Sequence, residues 1–294
     1  MTAQALTRST TLSDLISLTK PRLSAQVLST TAGGMWLAPG ELSGRTWLLT
    51  LLATAGTVGA ANALNCFIER DSDRFMHRTQ ARPLPSGRMD PQVALAFGVL
   101  LAALSLPALL VGANALTAAL GLLALVSYVF VYTPLKSRSW VAMLVGAVPG
   151  ALPPLMGWTA VTRSVSWPGL ALFGILFFWQ LPHFLAIALF RKEEYRAAGL
   201  TSVPLQHGDV SARWQLLIYL VALVAVSFSL YPLKVAGGFY AVSALLLGVL
   251  YLGHALRGVV KGLGAGWARQ SFILSLIYIT GLFLALMVDG VARV

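Results

Sequence analysis

The segment at residues 62–73 carries side chains whose types and spacing could bind a metal ion. Asn62, Asn65, Glu69 and Asp73 are separated by three, four and four positions, so on a helix they would form one polar stripe. Asp71 lies two positions off that stripe. Carboxylate and amide oxygens are the hard ligands that Mg²⁺ prefers, together with water and substrate phosphate oxygens. The pattern therefore favours a Mg²⁺ site on this stripe.

Basic residues follow the acidic stripe and favour an anionic partner for the metal. Arg74, Arg78 and Arg82 come next in the chain, and guanidinium groups bind phosphate in a bidentate manner. Lys136 and Arg138, in the segment YTPLKSRSW, could reach the same anion from elsewhere in the fold. A metal site followed by cations fits a diphosphate. A second interpretation stays open, in which these charges mark only a helix leaving a membrane and pair with one another.

A third polar group lies in the segment WQLPHFLAIALFRKEEYRAAG, at residues 179–199. Gln180 and His183 stand in its apolar first half, and Arg191 and Glu194 stand in its charged second half. A histidine in an apolar segment is a functional candidate that could ligate a haem iron or move a proton. Hydrogen bonding of His183 to a neighbouring helix is the alternative.

The composition requires membrane-spanning helices to position these groups. Hydrophobic residues make up 57% of the 294 residues and charged residues 11%, and the mean hydropathy is +0.77. Residues 93–132 and 139–162 contain no charge, and each segment is long enough to cross a hydrocarbon core of ~30 Å. Backbone groups in lipid must be paired internally, so the spans are helices. We therefore predict an all-α, polytopic membrane protein.

Nine transmembrane helices are predicted, with the N-terminus inside and the C-terminus outside. The predicted spans run near 22–40, 47–68, 91–111, 114–132, 140–161, 167–190, 214–231, 236–256 and 271–289. This orientation leaves four of the 21 Lys and Arg residues outside, namely Arg45, Arg163, Lys234 and Arg293, as the positive-inside rule requires.

The net charge of +11 is explained by these basic loops rather than by nucleic-acid binding. Cys66 is the only cysteine, which excludes an intramolecular disulfide and a Cys-based metal cluster. We expect a single domain over residues 1–294, with two long cytoplasmic cap loops at about 69–90 and 191–213. The Gly and Pro residues of GAVPGALPPLMGW, at 146–158, predict a broken or kinked helix.

The motifs resemble those of a known enzyme family. NCFIERDSD followed by RTQARPLPSG resembles the first signature of the UbiA-type intramembrane prenyltransferases, which is Asn-Asp-x-x-Asp-x-x-x-Asp and then a basic run ending in Arg-Pro-Leu. Cys66 and Glu69 both stand where Asp is usual, and the second acidic motif of the quinone-type members is missing. LTKPR, YTPLKSRS, GALPPLMGW and WQLPHF with RKEEYRAAG resemble more narrowly the haem-directed branch, over essentially the whole chain.

The resemblance implies a fold and a reaction. The fold is nine helices around a central cavity that opens towards lipid and is capped by the two cytoplasmic loops. The reaction is transfer of a farnesyl group from farnesyl diphosphate to a haem b vinyl group, with addition of water, giving haem o. Mg²⁺ would bind at Asn65, Glu69 and Asp73, with Asp71 near. The diphosphate would be held by Arg78, Arg82, Lys136 and Arg138.

The resemblance also implies acceptor contacts and a location. His183 is interpreted as orienting haem or handling the water proton, and the further acceptor contacts are Gln180, Tyr132, Arg191 and Glu194. A bacterial inner membrane, with membrane lipid around the protein, is the expected setting. Haem A synthase or the assembly of a terminal oxidase is the expected protein partner, and nucleic acid is not.

Three other functions remain open at this stage. The same fold could act on an aromatic quinone precursor or another tetrapyrrole. A transporter would place its polar residues near the bilayer centre, whereas here they cluster at one face. A haem-binding assembly factor would bind haem without consuming a prenyl diphosphate.

Overall fold

The computed structural model describes residues 10–75 and 79–291, and within them every regular element is a helix. The helices are α1 (Leu12–Leu18), α2 (Pro21–Leu37), α3 (Gly44–Glu69), α4 (Pro91–Gly112), α5 (Ala115–Val126), α6 (Thr133–Leu135), α7 (Ala142–Thr162), α8 (Trp167–Phe190), α9 (Lys192–Ala197), α10 (Val203–Gln206), α11 (Gly208–Ser229), α12 (Gly238–Lys261) and α13 (Ala265–Val291). A 3₁₀ turn at Ser72–Phe75 follows α3, and a π-helical turn at Ser127–Tyr132 joins α5 to α6.

Eight helices in the described part of the chain are long and apolar enough to cross a membrane. They include the continuous helix Ala115–Leu135, and they make this an integral membrane protein. The first predicted span coincides with α2, which has only 17 residues. At about 1.5 Å per residue, α2 is shorter than a hydrocarbon core of ~30 Å. The all-α prediction is confirmed, whereas the count of nine spans is not.

Two helices begin before the spans predicted for them, and one helix that was predicted to be broken or kinked runs without a break. Helix α11 begins at Gly208 instead of 214, and α13 begins at Ala265 instead of 271. Charged residues continue both helices because they find partners there, as when Asp209 accepts from Lys192 Nζ at 2.7 Å. Helix α7 is unbroken although it contains Pro149, Pro153 and Pro154, because flanking helices support a proline-containing helix in a bundle.

Helices α2 and α7 pack through glycines. A β-carbon on Gly34 would lie 2.1 Å from the carbonyl oxygen of Pro154, and one on Gly157 would lie 2.0 Å from the carbonyl oxygen of Thr31. Small residues allow the backbones of membrane helices to approach this closely. The short α2 is thereby fixed against α7, and its inner half becomes one wall of a cavity.

Helices α8, α11, α12 and α13 form the largest apolar cluster of the described residues. Buried hydroxyls add polar contacts inside it: Tyr240 donates to the Ser227 carbonyl oxygen at 3.0 Å, and Tyr278 donates to Ser227 Oγ at 3.0 Å. Hydrogen bonds between helices stabilise membrane bundles, which lack the hydrophobic driving force of water. The cavity lies beside this cluster, with α8 as the shared wall.

Candidate functional site

A cavity of about 740 Å³ lies between α2, α3, α5, α7 and α8. Its lining is mainly apolar. The polar lining residues Asn62 and Lys136 lie towards the end of the bundle where α3 ends at Glu69. That end of the bundle is called the charged end below. The segment from Arg191 to Val203 also lines the cavity. An apolar space with polar groups concentrated at one end suits an amphiphilic ligand.

The polar stripe of α3 is buried and held by hydrogen bonds. Asn62 Nδ2 donates to the Thr19 carbonyl oxygen at 3.1 Å, which ties α3 to the turn before α2. Asn65 Nδ2 donates to Thr133 Oγ1 at 3.1 Å, and its Oδ1 accepts from Lys20 Nζ at 2.9 Å. Both amides are 2% exposed. Both amide nitrogens and the Asn65 oxygen are therefore fixed in direction.

The two carboxylates of the stripe each meet a cation from a distant segment. Glu69 ends α3, and its Oε1 lies 3.3 Å from Lys136 Nζ. Asp73 is buried in the 3₁₀ turn, where its Oδ2 accepts from Arg82 at 2.7 Å. Asn65, Glu69 and Asp73 are thus all oriented towards positive groups at the charged end.

The donor set fits Mg²⁺. Two carboxylates and one amide oxygen are hard ligands. Each of these oxygens contacts a cationic side chain, so each lies where a positive metal ion would also be favourable. Within the described residues, no group of three or more His, Cys, Asp or Glu could hold a metal on its own. Mg²⁺ does not need such a group, because it commonly uses one or two carboxylates plus water and substrate phosphates.

Lys20 is a site residue that was not predicted as one, although it belongs to the motif LTKPR at residues 18–22. It precedes α2 with φ at 49°, a left-handed backbone that is uncommon outside glycine. Burial lowers the pKa of its amine below the usual value. The lysine before Pro21 was the only signal in the sequence, and its pairing with Asn65 depends on the fold.

Tyr128 and Tyr132 line the cavity beside Lys136. Their rings stack at 5.4 Å between centroids, on the π-helical turn, a feature often found at functional sites. A β-carbon on Gly146 of α7 would lie 2.6 Å from the Tyr132 ring. Gly146 therefore makes room for the ring.

Three other predicted residues line the same cavity from α8 and beyond, namely Gln180, Arg191 and Glu194. Gln180 Nε2 donates to the carbonyl oxygens of Ala147 and Leu176 at 3.1 and 3.0 Å. Arg191 lies 3.5 Å from Glu194, and both side chains are largely exposed.

Several predicted residues do not line the cavity, and these include the predicted metal ligands Asn65, Glu69 and Asp73 and the predicted diphosphate contact Arg82. Asp71 is exposed and pairs with Arg70 and Arg74, and Arg138 is also exposed. His183 faces α13, where Nδ1 lies 2.7 Å from Ser275 Oγ, and it is not a lining residue. The alternative interpretation of His183, a hydrogen bond to a neighbouring helix, therefore describes the structure. Arg78 lies outside the described residues.

Comparisons with known proteins agree with this arrangement. Residues 27–284 match the UbiA prenyltransferase family. A relative from Myxococcus xanthus (strain DK1622), named protoheme IX farnesyltransferase, is 64% identical over 100% of both chains. A solved structure described as digeranylgeranylglyceryl phosphate synthase has a TM-score of 0.85 at 17% identity and covers 96% of this chain and 99% of its own.

A second solved structure, a UbiA homolog from Archaeoglobus fulgidus bound to GPP and Mg²⁺, has a TM-score of 0.64 at 18% identity. It covers 93% of this chain and 99% of its own. At these identities, both structures show that the fold is shared.

Proposed function

The chain belongs to the UbiA prenyltransferase family, and we propose that it transfers a farnesyl group from farnesyl diphosphate to a vinyl group of haem b, with addition of water. The products are haem o and diphosphate. The observation that carries this proposal is the set of three oxygen–cation pairs at the charged end of the bundle: Lys20–Asn65, Lys136–Glu69 and Arg82–Asp73. Of these residues, Lys136 also lines the apolar cavity. The naming of the Myxococcus xanthus relative supports haem as the acceptor.

At the charged end, Asn65, Glu69 and Asp73 would hold Mg²⁺. When bound, the metal ion neutralises the diphosphate and stabilises charge that develops on the leaving group. Lys20, Arg82 and Lys136 then turn from the protein oxygens to the phosphate oxygens. The other diphosphate and metal contacts expected from sequence are Arg78, Arg138 and Asp71, which we retain as proposals.

The protein lowers the barrier to breaking the allylic C–O bond. The electron pair of that bond goes to the diphosphate oxygen, which is stabilised by cations placed before the reaction. The carbon that loses the pair becomes cation-like, and the rings of Tyr128 and Tyr132, which line the cavity, would shelter it. The apolar lining keeps water from capturing it too early.

The haem vinyl group then attacks this carbon and forms the new C–C bond. The positive charge moves to the vinyl carbon next to the macrocycle, where water adds and loses one proton. Gln180, Tyr132, Arg191 and Glu194 line the cavity and are proposed acceptor contacts. His183, which faces α13, is proposed to orient haem or to take the proton.

We also propose one domain over residues 1–294 and a bacterial inner membrane location with the charged end in the cytoplasm. That orientation brings the cationic end to the soluble diphosphate substrate. Membrane lipid would surround the eight long helices. Haem A synthase or a terminal oxidase under assembly would receive the product.

The test is a reaction of the purified protein in nanodiscs with haem b, farnesyl diphosphate and Mg²⁺, followed by mass spectrometry of the porphyrins. A product heavier by one farnesyl group plus water is expected. Unchanged haem, with consumption of the diphosphate once hydroxybenzoate is supplied, would instead support a quinone precursor as acceptor. Bound haem without any diphosphate release would favour an assembly factor. If the protein neither binds haem nor turns over the diphosphate, a transporter would be the remaining function.

A further inference from the structure

The side chain of Gln180 presents one fixed hydrogen-bond acceptor to the cavity. Its Nε2 donates to the carbonyl oxygens of Ala147 and Leu176 at 3.1 and 3.0 Å. Because both partners can only accept, the amide nitrogen must lie on their side, and the amide oxygen Oε1 must point the other way. The two contacts therefore settle the orientation of the amide.

Gln180 Oε1 lies against α7 at Gly150, and both residues line the cavity. A β-carbon on Gly150 would lie 2.2 Å from Oε1. Among the described residues Oε1 has no hydrogen-bond partner, and it is not one of the fully buried side-chain atoms that lack a partner. Although Gln180 is only 8% exposed, this oxygen is therefore unpaired and accessible from the cavity.

A second acceptor beside Oε1 comes from the prolines of α7. Residues 153 and 154 are both proline, so neither of the two positions that usually donate to the Gly150 carbonyl oxygen in a helix carries an N–H. Standard backbone dimensions put that carbonyl oxygen no more than about 5.6 Å from Gln180 Oε1. One water molecule can donate to two acceptors at such a separation, and a buried water needs at least two polar partners.

Water is the reactant of the proposed reaction that can donate to these oxygens. The metal-bound diphosphate and the ionised haem carboxylates only accept hydrogen bonds. The pyrrole nitrogens of haem b bind iron and carry no proton, and the farnesyl tail is apolar. Two acceptors fixed side by side in an apolar cavity therefore match a water molecule better than the macrocycle or the prenyl donor.

The two acceptors lie close to the place where the cation would form. Gln180 Nε2 is bound by the carbonyl oxygen of Ala147, which follows Gly146. A β-carbon on Gly146 would lie 2.6 Å from the ring of Tyr132, which is proposed to shelter the cation. Gly146 and Gly150 are four residues apart, or about 6 Å along a helix. A water bound at Gly150 would therefore lie about one helical turn from that ring contact.

We propose that Gln180 Oε1, together with the Gly150 carbonyl oxygen, binds the water molecule that adds to the farnesylated haem cation. Both O–H bonds of the water point to these acceptors, so a lone pair is left to form the C–O bond with the vinyl carbon. The adduct then loses one proton to a base, either the released diphosphate or the proposed His183, and Gln180 stays neutral. The inference rests on the proposed function and assigns the site that supplies the product hydroxyl.

Without a bound water, the same cation has another outcome. It loses a proton from the neighbouring carbon, a C=C bond forms, and the product is a farnesylated haem lighter by one water. The ratio of hydrated to unhydrated product therefore reports whether water is in place when the cation forms. Loss of folded protein or of substrate binding lowers both products together and leaves the ratio unchanged.

The test is the nanodisc reaction with haem b, farnesyl diphosphate and Mg²⁺, in which mass spectrometry measures both farnesylated products. Gln180→Met keeps an uncharged side chain of similar length but removes the acceptor. The ratio of hydrated to unhydrated product should then fall about tenfold, the effect of one lost hydrogen bond. Gly150→Ala should lower the ratio too, because the added β-carbon displaces Oε1 while Gln180 is kept.

Gln215 on α11 supplies a matched control. Its Nε2 donates to Ser211 Oγ at 3.2 Å, and its Oε1 lacks a partner within the part of the chain that the structure describes, but Gln215 does not line the cavity. Gln215→Met should therefore leave the product ratio at the wild-type value. Gly253→Ala, where no atom lies within 4 Å of the added carbon, is the control for Gly150→Ala.

An unchanged ratio in Gln180→Met would overturn the inference even if total turnover falls, because the amide would then affect only packing or rate. An equal fall in Gln215→Met would overturn it as well. If Gln180→Met fails to fold, the ratio in Gly150→Ala decides in the same way. Absence of both farnesylated products from the wild type would instead refute the proposed function, and the inference with it.

Discussion

Lys20 and Asn65, 45 positions apart, are joined by a hydrogen bond of 2.9 Å from Nζ to Oδ1. The contact brings the turn before α2 onto the polar stripe of α3 and adds a cation to the charged end. Lys20 adopts a left-handed backbone there and is buried. A strained and desolvated cation near the Glu69 carboxylate is more consistent with an anion site than with membrane orientation alone.

Replacing Lys20 should weaken diphosphate binding in a pH-dependent manner. Lys20→Ala should raise KM for farnesyl diphosphate about tenfold or more, since one desolvated charge contact is lost. Burial lowers the Lys20 pKa, so the amine loses its charge at a lower pH than an exposed lysine. Wild-type affinity for an unreactive diphosphate analogue should therefore fall on the alkaline side, whereas Lys20→Arg should keep it. Arg22→Ala, at an exposed position, is the control.

Neutralising the stripe should abolish activity without unfolding the protein. Glu69→Gln and Asp73→Asn preserve shape but remove charge, so we expect kcat to fall at least about 100-fold. Asp71→Asn should have a much smaller effect, because Asp71 is exposed and its ion pairs with described residues are those with Arg70 and Arg74. The rate of haem o formation measures the effect of each substitution. Chelation of Mg²⁺ should stop the reaction until Mg²⁺ is added back. Equal losses in Asp71→Asn and Asp73→Asn would contradict this assignment.

Adding one carbon at Gly146 should disturb the reaction more than the fold. The new β-carbon would lie 2.6 Å from the ring of Tyr132, which lines the cavity, so the ring must shift. Gly146→Ala should therefore lower kcat while the melting temperature in detergent changes little. Gly253→Ala, where no atom lies within 4 Å of the added carbon, should change neither quantity.

A larger side chain at Thr54 should shorten the preferred prenyl chain. Thr54 lines the cavity 15 positions before Glu69, so it lies far from the charged end. Thr54→Phe should reduce turnover of farnesyl diphosphate more than that of geranyl diphosphate. The ratio of the two rates in one preparation corrects for any loss of folded protein. An unchanged ratio would show that the tail runs elsewhere.

The glycine contact between α2 and α7 should be essential for stability. A β-carbon on Gly34 would lie 2.1 Å from a backbone oxygen of Pro154, which cannot turn aside as a side chain can. Gly34→Ala should therefore cost about 2–3 kcal/mol or more and lower the melting temperature in detergent. A variant as stable as the wild type would mean that α2 separates from α7 without cost.

Helical spans and the acidic stripe were predictable from local pattern. Apolar runs without charge identify membrane helices, because unpaired backbone groups are too costly in lipid. The spacing of Asn62, Asn65, Glu69 and Asp73 placed them on one face of a helix. The unbroken course of α7 was not predictable, because its prolines are tolerated through packing with α2 that periodicity does not encode.

The sequence by itself determined the membrane character, the helical class and the oxygen ligands at the end of α3. Only the tertiary structure decided which cation meets which oxygen, as Lys20 meets Asn65 and Lys136 meets Glu69. It also decided that His183 faces Ser275 on α13 rather than lining the cavity. The reason is that spacing along a helix fixes only the relative direction of side chains, whereas their partners depend on how separate helices pack.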